Sequence, residues 1–80
     1  MNKINDLEEL KDLCEEETVD CYIQLNYGLR SSKRISYDRD ADTWYIFHEI
    51  DDSEQAVHTK DLKEKTNIIE ALDKGALYQY

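Results

Sequence analysis

Proline is absent from the chain and glycine occurs only at Gly28 and Gly75. No stretch therefore has the Pro-rich or Gly/Ser-rich composition of an interdomain linker, and no Gly-rich loop is present to cradle a nucleotide. Two cysteines, Cys14 and Cys21, are too few for a disulfide scaffold. They also lack the close spacing of a zinc ribbon. The opening Met1-Asn2-Lys3-Ile4-Asn5-Asp6 has no signal-peptide pattern, so reduced, metal-free thiols in the cytoplasm are expected. No apolar run approaches the roughly 20 residues of a membrane span. A basic excess is missing as well: the net charge is −9, which argues against direct binding to nucleic acid.

Eighty residues make one domain, 1–80, which buries only about 60 to 65% of the surface its unfolded chain exposes. Leu, Ile, Val and Phe contribute 8, 7, 2 and 1 residues. That is close to the limit below which a strongly charged chain stays disordered, and six Tyr and one Trp shift the balance toward folding.

Ile4, Leu7, Leu10, Leu13 and Cys14 recur at steps of three and four, which predicts a helix over 4–16 capped by Asn2 or Asn5. Val19, Cys21, Ile23, Leu25 and Tyr27 alternate with polar neighbours and predict a strand over 19–27. Further strands are expected near 33–38 and 43–50, with a short one at 55–58. Thr59 is expected to cap a helical turn through Leu62, and Thr66 a second helix that ends at Gly75, with Leu77 closing the cap by an apolar contact. The fold class that follows is α+β: an N-terminal helix, an antiparallel three- to four-stranded meander, and a C-terminal helix packed on one face of the sheet. The expected core is Leu10, Leu13, Ile23, Leu25, Ile35, Ile46, Ile69 and Leu72, and Leu25→Ala is expected to cost about 2 to 4 kcal/mol.

Asp38, Asp40, Asp42 and Glu49 fit positions 1, 3, 5 and 12 of a calcium loop, but Thr43 stands where that loop needs glycine. A strand after Asp42 would also carry Glu49 about 20 Å from the turn. No metal site is expected, and no cofactor. With only His48 and His58 to serve as bases, no catalytic set can be assembled from the sequence and enzyme chemistry is not expected.

Two charged features remain. Residues 1–20 hold eight acidic and two basic groups, and 38–55 hold seven and one. Glu15, Glu16 and Glu17 crowd a helix C-terminus, where the dipole disfavours them, and Asp38, Asp40, Asp42, Asp51, Asp52 and Glu54 occupy two turns. If the sheet and helix place both blocks on one side, carboxylates spaced in this way suit a partner protein with a basic, nucleic-acid-binding surface, for which the chain would act as a nucleic-acid mimic. Between the acidic blocks, Arg30, Ser31, Ser32, Lys33 and Arg34 follow Gly28 and form an alternative site, a cationic hairpin tip able to hold a small anion or nucleotide.

The run Tyr22-Ile23-Gln24-Leu25-Asn26-Tyr27-Gly28-Leu29-Arg30-Ser31-Ser32-Lys33, with Ile35-Ser36-Tyr37-Asp38 after it, resembles small phage and prophage proteins of Gram-positive bacteria. Asn67-Ile68-Ile69-Glu70-Ala71-Leu72 and Lys74-Gly75-Ala76-Leu77-Tyr78 are similar to their C-terminal ends. The resemblance implies an accessory protein working in the host cytoplasm that blocks a defence protein such as a CRISPR effector.

Overall fold

In the computed structural model, which describes residues 2–80, the chain forms one six-stranded antiparallel sheet and three helices. The strands are β1 (Asn2–Lys3), β2 (Val19–Gln24), β3 (Arg30–Asp38), β4 (Thr43–His48), β5 (Ser53–His58) and β6 (Leu77–Gln79). The helices are α1 (Leu7–Glu16), α2 (Leu62–Lys65) and α3 (Ile68–Lys74). In space the strands run β1-β6-β2-β3-β4-β5. The meander β2-β3-β4-β5 is thus extended on its β2 side by two strands too short for any periodicity to reveal. The expected three to four strands are corrected to six.

Alternation builds the core. Val19, Cys21 and Ile23 of β2, Ile35 and Tyr37 of β3, Trp44 and Ile46 of β4, Val57 of β5 and Leu77 of β6 are buried in one cluster. Leu10 and Cys14 of α1, Leu62 of α2, and Ile68, Ala71 and Leu72 of α3 join that same cluster. Leu13 and Ile69 lie at its border.

Local chemistry places the helix ends. Ile4 is buried but precedes α1, donating its N–H to the Leu77 carbonyl at 2.9 Å and so continuing the β1–β6 ladder. The cap of α1 is Asp6, whose Oδ1 accepts from the Glu9 N–H at 2.9 Å. The Glu9 carboxylate in turn accepts from the Asn5 backbone and side-chain amides. The expected cap at Asn2 or Asn5 is corrected to this reciprocal pair. Thr66 closes α2 and does not begin α3: its N–H and hydroxyl both return to the Leu62 carbonyl, and its Oγ1 accepts from the Ile68 N–H at 3.3 Å. Gly75, at φ +66°, ends α3 in the left-handed conformation that glycine adopts without penalty.

Leu25 leaves the core. Strand β2 stops at Gln24 because Tyr27 and Gly28 both take positive φ, 61° and 74°, in a tight turn closed by the Leu29 N–H on the Asn26 carbonyl at 3.3 Å. Leu25 is 42% exposed. Ile46→Ala should therefore lower the unfolding free energy by about 2 to 5 kcal/mol, and Leu25→Ala by less than about 1 kcal/mol. Denaturant melts of the two variants check this, with equal losses placing Leu25 back inside.

Candidate functional site

Strand β4 separates the acidic turns. The turn at 38–42 precedes it and the turn at 49–52 follows it, so six extended residues, about 20 Å, lie between them. The carboxylates do not form one continuous patch.

The first end gathers the close of α1 and the β3–β4 turn, which sequence separation hides. Arg39 joins them, with Nε 2.9 Å from Glu15 Oε1 and Nη2 3.4 Å from Asp12 Oδ1. Its guanidinium holds Glu15 below the ordinary glutamate range, chiefly by hydrogen bonding. Asp38 caps its own turn, accepting from the N–H groups of Asp40 and Ala41. Glu16, Glu17 and Asp40 are exposed around this bridge.

Asp42 is committed to the fold. Its Oδ1 accepts from Thr59 Oγ1 at 2.6 Å and Tyr37 OH at 2.5 Å, and Thr59 in turn accepts from the Trp44 indole N–H at 2.8 Å. The cap expected at Thr59 is corrected to His58, whose Nδ1 accepts from the Lys60 N–H, and Thr59 is needed by the indole. The hydrogen bonds from Thr59 and Tyr37 lower the Asp42 pKa. A carboxylate depressed in the folded state stabilises it above the unfolded value of about 3.9. That contribution disappears as pH falls through the folded pKa. Asp42→Asn should accordingly flatten the acid limb of a stability-versus-pH curve below about pH 4, and an unchanged limb would remove Asp42 from this role.

At the second end, Asp51 Oδ1 accepts from the Ser53 N–H and hydroxyl at 3.1 and 2.6 Å, while Asp52, at φ +59°, and Glu54 are exposed. The Asn26–Leu29 turn lies beside this one, since Arg30 pairs with Gln24 and the Glu49 N–H donates to the Ser32 carbonyl. Six large apolar or aromatic side chains are exposed among the described residues, and four of them sit here: Leu25, Tyr27, Leu29 and Ile50. Tyr27 is 99%, Leu29 62% and Ile50 72% exposed. Only Gly28 hinted at this in the sequence.

The cationic tip expected at 28–34 is corrected, because Arg30–Asp38 is a strand and its side chains alternate between faces. On one face Arg30 stacks over the Tyr22 ring at 4.3 Å, Ser32 Oγ meets Tyr80 OH at 2.5 Å, and Arg34 pairs with Asp20 at 2.9 Å and Glu49 at 3.7 Å. On the other, Ser31 and Lys33 are buried. The five residues share no concave surface.

No three metal-ligating side chains converge among the described residues, and Glu49 lies beyond β4 from Asp38, Asp40 and Asp42. Cys14 and Cys21 are buried, and burial pushes both thiols up to about 12. A thiol-reactive disulfide reagent at about pH 8 should leave both cysteines unmodified in the native protein and titrate two after denaturation. Rapid native reaction of either would contradict their burial. No described helix is long and apolar enough to cross a membrane. No family model, no curated protein and no solved structure matches the chain.

Proposed function

We propose that this protein works by binding another macromolecule and not by covalent chemistry, with the 25–29 and 49–54 turns as its docking end. One observation carries the reading. Tyr27 is placed in the left-handed region, which costs a bulky residue about 1 to 2 kcal/mol, and yet it is almost wholly in solvent. The free fold gains no packing from that ring. A chain so short of apolar residues has four of them exposed at one end, and an exposed tyrosine between Leu25 and Leu29 is the composition of a binding hot spot.

The adjoining Asp51, Asp52 and Glu54 select a basic partner surface, and the Arg39-bridged carboxylates at the other end extend the negative field that would steer encounter. The partner class that fits is a host protein with a basic nucleic-acid-binding surface, which the chain would block in the cytoplasm. The resemblance to phage accessory proteins supports an anti-defence setting for this inhibition.

The strain makes a test whose two readouts move in opposite directions. Tyr27→Asn places a residue that tolerates positive φ at the turn, so it should hold or raise thermal stability while weakening binding to a partner captured from host cytosol. Joint neutralisation of Glu16, Glu17, Asp40, Asp52 and Glu54 to their amides should slow association and flatten its salt dependence. Native affinity in the Tyr27→Asn protein would refute the docking end, and an unchanged salt slope in the neutralised protein would refute the basic partner.

A further inference from the structure

On the helix-bearing side of the sheet, beyond the cover of α1, a cleft of about 720 Å³ opens between the end of β4 and the α2–α3 junction. Its floor holds Lys33, a lysine 3% exposed. Its alternation with Ile35 and Tyr37 turns it inward, and it lies across from Cys21 on β2 and His48 on β4. No carboxylate among the described residues comes within ion-pairing distance of its ammonium. Burying such a charge is costly, and a methionine of similar length would fill the space without that cost.

The hydrogen bonds around Lys33 fix which of its protons are available. Lys33 Nζ lies 2.8 Å from His48 Nδ1. Gln55 donates its amide N–H to the Lys65 carbonyl at 3.1 Å, which turns its Oε1 toward His48 Nε2 at 3.4 Å. The imidazole proton therefore belongs on Nε2, and Nδ1 accepts from Lys33. An ammonium has three donors, and this arrangement uses one. Ser31, one alternation nearer the open end, adds a hydroxyl to the same lining. Burial holds Lys33 below the ordinary lysine range, offset in part by Cys21 and, less, by Asp51.

At the rim Asp51 and Glu64 outnumber Lys65, while Glu54, paired with Phe47, directs its side chain to the opposite face. A dianion such as phosphate would pass Asp51 and Glu64 to reach the Lys33 ammonium. A ligand carrying both charges meets a complement at each level.

We propose that this cleft is a binding site for a small amino-acid-like zwitterion, its carboxylate received by Lys33 and Ser31 on the floor and its ammonium held by the rim carboxylates. The site keeps Ser31 and Lys33 of the cationic cluster and uses none of its arginines. It shares the 49–54 turn, Asp51 included, with the docking end but is tested apart from it, because the ligand binds the free protein.

Titration of the full chain with glycine and its ω-amino homologues up to 6-aminohexanoate, with acetate and inorganic phosphate in parallel, tests the assignment. The readouts are the ring-nitrogen resonances of His48 and the thermal midpoint. At least one amino acid should shift both saturably, acetate should bind at least about tenfold more weakly, and phosphate should leave both unmoved. Lys33→Met should fold with equal or greater stability and lose the response, and Ser31→Ala should weaken it. Absence of a saturable response from every amino acid in the wild-type protein would overturn the site whatever the variants do. A full response in Lys33→Met would overturn the role of Lys33, and acetate binding as tightly as the amino acids would overturn the zwitterion.

Discussion

The indole N–H of Trp44 sets the constraint around which the rest of the fold is arranged. Trp44 is fully buried and packs its ring 4.3 Å from that of Tyr37. A buried N–H without an acceptor costs on the order of a lost hydrogen bond, so Thr59 must come to it and Asp42 must come to Thr59. These contacts hold the β3–β4 turn and the exit of β5 against each other. Because the partners are consecutive links in one chain of hydrogen bonds, the start of α2 is placed by the same requirement. A thin core can specify one structure when its largest member also has a polar atom to satisfy.

How the chain spends its few apolar side chains separates its ends. The end bridged by Arg39 is polar, and much of its charge is used in turn caps and ion pairs. The opposite end has exposed aliphatic and aromatic groups on turns whose backbones include positive φ at Tyr27 and Asp52. Asp42 at the polar end takes a positive φ as well, but there the side chain is held by Tyr37 and Thr59, whereas Tyr27 is left in solvent.

Much of this architecture was legible in the sequence. The nine-residue alternation from Val19 located β2, and the aromatic run from Thr43 located β4, because half-buried strands repeat every two residues. The same rule misled at Leu25, where the apolar pattern continues past the point at which the backbone turns. Nothing marked β1 or β6, since two or three residues contain no period and their pairing is a tertiary event. The cationic run at 30–34 is a cluster in sequence alone, and counting back by twos from Tyr37 and Ile35 reaches Lys33 and marks it as an inward lysine. The joining of Glu15 to Arg39 required the β2–β3 register, which brings Val19 opposite Ile35 and so the end of α1 to the β3–β4 turn.

Strands β1 and β6 pair with Asn2 opposite Gln79, so the chain enters and leaves the sheet at one corner. Tension applied across that corner would load those few backbone pairs one after another, as in opening a zip, instead of shearing many at once. The buried face begins to resist as soon as the opening reaches Ile4 and Leu77, both of them fully buried. Mechanically this corner is therefore soft over its first two backbone pairs alone, and the interior held by Trp44 and its neighbours lies behind the fully buried Ile4–Leu77 contact.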